Sequence, residues 1–242
     1  MEKRIPSVPL ITCDPYFSVW SPADHLYDKD TCHWTGRAKP IKGVIKIDGK
    51  TYRFMGAGEE EILLQKKFEI TSTTSSYIME GAGIRLHIDF FTPLLLTDKQ
   101  LVSRPTSYID WCVESLDKED HSVILMWEFG EELCHHSKEH EPLVGGNSLE
   151  NKVRISWMGR EQQPLLSHSG DAVSIDWGYF YVASKEASTV KALYEKESSS
   201  IKAVAEVAVT QAEPYEEYLV AAYDDVASIV YFGEILKGYW TK

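Results

Sequence analysis

The stretch IKIDGKTYRF, Ile45 to Phe54, decides the fold. Apolar and polar residues alternate on both sides of Asp48-Gly49, a pair that readily takes the positive backbone angles of a two-residue hairpin turn. Such a turn sets Ile45 opposite Tyr52 and Ile47 opposite Lys50. Ile45, Ile47, Tyr52 and Phe54 then share one face, and Lys46, Thr51 and Arg53 take the other.

The same period of two recurs along the chain. Ile84, Leu86, Ile88 and Phe90 alternate with Arg85, His87 and Asp89, and Ile109, Trp111 and Val113 with Asp110 and Glu114. Val123, Leu125, Trp127 and Phe129 repeat it, as do Val153, Ile155 and Trp157, and Val173, Ile175, Trp177, Tyr179 and Tyr181. Many one-sided strands predict an all-β fold, a large two-sheet antiparallel β-sandwich with little helix. VAEVAVTQ and EEYLVAAYDD read as two late strands around Ala212–Pro214. The lysine- and glutamate-rich Ser188–Ser200 reads as a loop or marginal helix, and Glu139–Asn151 as the least structured stretch. A short C-terminal helix is expected after Asp224 or Asp225 as cap. The 242 residues suffice for one sizeable core, giving a single domain over 1–242 or a division into an N-terminal segment 1–75 and a main sandwich 76–242.

Charge narrows the partners. Asp and Glu number 37 against 25 Lys and Arg, for a net charge of -12 without a basic cluster, so nucleic acid and anionic membrane surface are disfavoured. The longest apolar run, FFTPLLL, is far shorter than the ~20 residues that span a bilayer, so no membrane insertion is expected. MEKRIPSVPLITC places two prolines where a signal peptide would be apolar and is too short to be one, and Thr12 is too large for an acylated Cys13. Cys13, Cys32, Cys112 and Cys134 form no tight pair and read as free or buried thiols.

Two stretches could carry chemistry. In CHHSKEH, Cys134, His135, His136 and His140 crowd a short run, with His136 and His140 one helical turn apart. A closed zinc site draws ligand pairs from separated segments, so Cys134, His136 and His140 remain weak metal candidates and no cofactor is expected. GAGEEE and GAGIRL lack the pattern of a phosphate cradle and read as turns. The serines and histidines show no GxSxG elbow.

The second stretch, DPYFSVWSPADHLYDKDTCHWTG (Asp14–Gly36), combines aromatics, aspartates and histidines. YFSVW carries bulk on both faces and is expected to be covered on both sides. Asp24, Asp28 and Asp30 suit a turn-rich loop after Pro22, while His33 and Trp34, before Gly36, suit a recognition surface or substrate wall. Aromatics beside acids also suit sugar binding.

PSVPLITCDPYFSVWSPADHLYD, CHWTG, IKIDGKTYRFMG, FFTPLLLTDKQLVSRPTSYIDW, EQQPLLSHSGDAVSIDWGYFYVAS and EYLVAAYDDVASIVYFGEILKGYW resemble, in this order, the N-terminal part of the glutaminase A family of bacteria and fungi. The pattern departs around Cys134–Asn151 and Ser188–Gln211. The resemblance implies an all-β accessory domain, exported, whose partner is a larger α-helical toroid of the six-hairpin glycosidase-like kind. By the same resemblance that toroid is expected to carry the hydrolysis of L-glutamine to glutamate and ammonia, with this domain packing against it, lining its active site and meeting the small-molecule substrate only through it. No catalytic residue of the family falls on a position of this chain, which is expected to be inactive alone. Asp24, His33, Trp34, Tyr239 and Trp240 are the expected substrate-wall or domain-interface residues. The rival expectations are a carbohydrate-binding or glycosidase accessory module and a free-standing interaction protein.

Overall fold

The computed structural model describes residues 5–14, 16–135 and 142–241. β1 (Val8–Ile11) and β2 (Val19–Ser21) form a small ladder, and β3 (Ile41–Ile47) and β4 (Lys50–Met55) form the Asp48-Gly49 hairpin, followed by β5 (Glu61–Ile62). β6 (Leu64–Ile70), β7 (Thr74–Gly81), β8 (Ile84–Phe91) and β9 (Thr106–Ser115) form a meander, with the one-turn helix α1 (Lys99–Val102) inserted before β9. β10 (His121–Phe129) returns beside β3, and β11 (Leu143–Glu150), β12 (Val153–Arg160) and β13 (Tyr179–Lys185) extend the meander's sheet. β14 (Lys191–Glu195) and β15 (Ser200–Val209) join β10, β16 (Tyr215–Asp224) inserts between β13 and β9, and β17 (Ile229–Tyr231) and β18 (Glu234–Leu236) form a separate hairpin.

Two large sheets result, one ordered β14-β15-β10-β3-β4-β5 and one β11-β12-β13-β16-β9-β8-β7-β6. Their pairings are antiparallel except β4 with β5. The predicted register holds: Ile45 faces Tyr52 and Ile47 faces Lys50, with Asp48 at φ 49° and Gly49 at φ 90°. A shift at Gly43 brings Met55 opposite it, and Phe54 packs where a Cβ on Gly43 would sit.

The sheets face each other through aromatic rings. Trp127 of β10 lies 6.0 Å from Trp111 of β9 and 6.3 Å from Phe90 of β8, and meets Phe54 of β4 edge-on at 4.9 Å. All four are buried. Burying a side chain of this size stabilises by about 1.5–3 kcal/mol, so this cluster holds the two layers together.

Five local expectations are corrected. In β12 the inward residues are Ser156 and Met158, whereas Val153, Ile155 and Trp157 are half-buried on the other face; there Trp157 meets Tyr179 edge-on at 5.5 Å. Val173–Trp177 is a buried irregular segment. Gly178, at φ 87°, resets the alternation, so Phe180 and Val182 point inward and Tyr179 and Tyr181 outward. Within Ser188–Ser200, Lys191–Glu195 is strand β14. Within Glu139–Asn151, Leu143–Glu150 is strand β11, and its glycines allow close approach: a Cβ on Gly145 would sit 2.6 Å from the Tyr194 ring.

The expected C-terminal helix is replaced by the β17–β18 hairpin and a single 3-10 turn at Tyr239–Thr241. Asp224 Oδ1 accepts the Val226 N–H at 2.9 Å in a turn with Val226 at φ 58°, not at a helix start. Ile229-Val230-Tyr231 suits a strand, and Phe232-Gly233, both at positive φ, closes the hairpin. Residue 75 falls inside β7, and β3 from the first segment lies beside β10 from the second.

Candidate functional site

The chain from Asp14 to Gly36 builds one wall of a cleft. Asp14 Oδ1 accepts the backbone N–H groups of Tyr16 at 2.7 Å and Phe17 at 3.1 Å, turning the chain into β2. Phe17 drops into the core and stacks on Tyr223 at 4.4 Å. Tyr16 stays at the edge, its carbonyl accepting the Ile175 N–H at 2.8 Å and its ring meeting Trp177 edge-on at 6.1 Å. The irregular Val173–Trp177 segment thus supplies the cleft's floor. Trp20 is held by paired backbone bonds with Cys32, of 2.7 and 2.9 Å, and its Nε1 donates to Ser18 Oγ at 3.0 Å. The chain then turns through His33–Gly36, closed by Gly36 N–H to the His33 carbonyl at 2.8 Å, and leaves Trp34 54% exposed at the rim.

The opposite wall comes from the C-terminal segment, through Asp225, Ser228 and Ile229. The cleft has a volume of about 820 Å³ and is lined by aromatics and three carboxylates (Asp14, Asp171 and Asp225), with no lysine, arginine or histidine among the described lining residues. Burial pushes the Asp14 carboxyl above its usual range, and the charge of Asp225 adds to the shift against the two backbone donors. Burial also raises Asp225, helped by Asp224 and opposed by a hydrogen bond from Ser228. Cys13, also in the lining, has its thiol pushed up to about 12 by burial and by Asp14, which removes it as a thiolate nucleophile at neutral pH.

The sequence candidates are dispersed around this cleft. Trp34 is in its wall. His33 is fully buried behind it, its Nδ1 2.9 Å from Thr35 Oγ1 and its ring 5.5 Å from Trp34. Asp24 is exposed elsewhere, its carbonyl 3.4 Å from Gln65 Nε2, and the loop around it is tied to the β4–β5 region by Asp30 Oδ1, which accepts the Ala57 N–H at 2.9 Å. Tyr239 borders a different depression, beside Asp98, Lys99 and Gln100, and Trp240 is half-buried next to Gly238.

Of the metal candidates, Cys134 is buried, with Sγ 3.5 Å from the Met158 carbonyl and its thiol pushed up to about 12 by burial. Beside it the buried Lys39 ammonium donates to the carbonyls of Glu132, Leu133 and His135 at 2.8, 3.2 and 2.7 Å, a structural clamp on the end of the 3-10 turn Glu131–Cys134. His136 and His140 lie outside the described residues. Among the described residues no group of three or more His, Cys, Asp or Glu is placed to hold a metal ion.

Asp14, Tyr16, Trp20, Trp177 and Asp225 are cleft residues that the sequence did not single out one by one. Asp14, Tyr16 and Trp20 stood in the aromatic and acidic stretch, but the cleft residues Trp177 and Asp225 lie about 160 to 210 positions further along the chain, and no local pattern announces that meeting.

Two family models match the chain: a domain of unknown function, DUF4964, over residues 1–66, and a second, DUF5127, over residues 73–211. The chain belongs to the DUF5127 family. The DUF5127 match begins just before β7 and ends after β15, and so takes in six strands of the eight-stranded sheet and three of the six-stranded one. Among curated proteins, glutaminase A of Aspergillus oryzae is 27% identical over 192 residues, 76% of this chain and 28% of that protein. These matches fit the N-terminal region of the glutaminase A family, as the quoted segments implied. The chain therefore spans less than a third of the length of this relative.

Among solved structures, a protein described as a kojibiose phosphorylase from the human microbiome aligns at TM-score 0.45 and 10% identity, over 90% of this chain and 29% of that one. A polysaccharide lyase aligns at TM-score 0.43 and 8% identity, over 92% of this chain and 33% of that one. The assignment of an all-β sandwich rests on the sheets themselves.

Proposed function

We propose that the chain is the accessory β-sandwich of a glutaminase A-like amidohydrolase, supplying binding surface and position and no nucleophile or base. The observation that carries this is the 27% identity to glutaminase A over a stretch that makes up 28% of that protein. The chemistry of the chain supports it: the thiols of Cys13 and Cys134 are pushed up to about 12, far from a reactive thiolate at neutral pH.

The surface supports a covalently linked partner domain, the helical toroid that the family resemblance implies. In the β17–β18 hairpin Phe232 is 91% exposed, with Val230 and Tyr231 also open, and Leu96 before α1 is 82% exposed. The C-terminal segment links these features, running from the cleft at Ile229 to α1 at Tyr239. Exposed large apolar side chains such as these suit an interaction surface.

The test is ammonia release from L-glutamine by the purified chain and by the full protein its gene encodes. None is expected from the chain alone, and turnover is expected where a further domain follows. Turnover by the chain alone would overturn the accessory role. A second reading, a carbohydrate-binding or glycosidase accessory module, is favoured by the tryptophans beside carboxylates in the cleft, and a glycan array separates the two.

A further inference from the structure

We propose that the cleft between Trp34 and Asp225 binds the ammonium group of a small amino compound. The lining pairs tryptophan and tyrosine rings with three carboxylates, and among the described lining residues no basic side chain balances them. Ring faces attract cations, and carboxylates complete an ammonium's hydrogen bonds, so the two together select a positive charge over a neutral or anionic group. An anion would meet only like charge, and a purely apolar ligand would strand the carboxylates.

A second observation points to a ligand. Trp177 is 1% exposed and lines the cleft, and its indole Nε1, like those of Trp111 and Trp127 in the core, has no hydrogen-bond partner among the described residues. Buried indole N–H groups ordinarily find an acceptor. A ligand carrying an acceptor beside its ammonium, as an amino acid carries its carboxylate, would satisfy both ends of the site. The raised carboxyls of Asp14 and Asp225 agree with this: burial is the main cause at both, with the charge of Asp225 adding at Asp14 and that of Asp224 adding at Asp225, and a bound cation would favour their charged forms. Binding is therefore expected to weaken in acid, as these carboxyls protonate.

The ammonium class follows from the cleft alone; its identity as the α-ammonium of L-glutamine rests on the glutaminase-like reading. The experiment follows the indole N–H signals of the purified chain by NMR during titration with n-propylammonium, L-glutamine, and the des-amino analogue of glutamine. Propylammonium and glutamine should shift the Trp20, Trp34 and Trp177 signals saturably, and the des-amino analogue should not. Trp34→Ala and Asp225→Asn, at an exposed and a half-buried position, should retain dispersed spectra and weaken binding roughly tenfold. Propylammonium binding without glutamine binding would support the site and remove glutamine as its ligand. Silence toward propylammonium, an equal response to the des-amino analogue, or wild-type affinity in both variants would overturn the proposal, as would a response to neutral sugars alone.

Discussion

Two groups of aromatic rings in this molecule do opposite things. Phe54, Phe90, Trp111 and Trp127 lie on strands of the two large sheets and are buried; Trp127 meets Phe54 of its own sheet at 4.9 Å and Trp111 and Phe90 across the sandwich at 6.0 and 6.3 Å. Tyr16, Trp20, Trp34 and Trp177 line a cleft where the ladders give way to turns and irregular chain, among three carboxylates. Residue type does not separate the groups; ladder position does. A ring at an inward position of a central strand has only the opposite sheet to meet, whereas the cleft rings differ among themselves: Trp34 is 54% exposed at the rim and Trp177 is covered.

The largest expected effect breaks this comparison most directly. Trp127→Ala removes the ring that touches both sheets and leaves a cavity between rigid walls, so a loss of about 3–5 kcal/mol is expected in urea denaturation. Trp34→Ala takes away a ring that is 54% exposed and should stay within about 0.5 kcal/mol of the parent. Similar losses from the two changes would mean that the cleft rings are core after all.

A middle effect tests where the core's regularity stops. Gly178 separates the irregular cleft floor from β13; it lies at φ 87°, and a Cβ there would collide with the Asp224 carbonyl oxygen. Gly178→Ala is expected to cost about 1–3 kcal/mol or more. Gly233 has a similar φ of 86° with open space around it, so Gly233→Ala carries only the conformational term of about 1 kcal/mol. Equal costs at the two positions would show that the Asp224 contact does not constrain the junction.

Gly178 also shows how far the sequence could be read. Alternation identified the strands at Ile45, Ile84, Ile109 and Val123, and Asp48-Gly49 fixed a register because the turn is local. A period of two does not say which parity faces inward. At β12 and across Val173–Tyr181 the larger aromatics suggested the wrong face, since Trp157 serves an outer contact and Gly178 resets the phase. β11 was hidden because glycines are poor strand formers alone; here Gly145 admits the Tyr194 ring and Gly146 lies against the Trp157 ring. For the cleft, Trp34 was legible as an aromatic on a loop, but its meeting with Asp225 and Ile229 depends on the path of the whole chain.

The smallest effect lies at neither group of rings, and it tests whether charge steadies the sandwich away from the cleft. His121 begins β10 with Nδ1 2.7 Å from Asp48 Oδ2 in the β3–β4 turn and Nε2 3.0 Å from Asp117 Oδ1 in the turn after β9. Both ring nitrogens can donate only when the imidazole is charged. The hydrogen bond to Asp48 is the main cause raising the His121 pKa, with Asp117 adding to it against burial. Asp48 is held low chiefly by the hydrogen bond with His121, and Asp117 chiefly by the Glu119 N–H with His121 next. A raised histidine pKa gives stability that is fully present below the unfolded value of about 6.5 and is lost as pH rises through the folded value. The lowered carboxylates give stability that is present above about 3.9 and is lost as pH falls through their folded values. The contribution is therefore greatest between those limits, and the melting temperature should decline from pH 6 toward pH 8. In His121→Gln, which cannot titrate, that decline should shrink while stability at pH 8 changes least. An unchanged pH profile in this variant would show that the paired turns are held by the ladder alone, with the histidine adding packing and no charge.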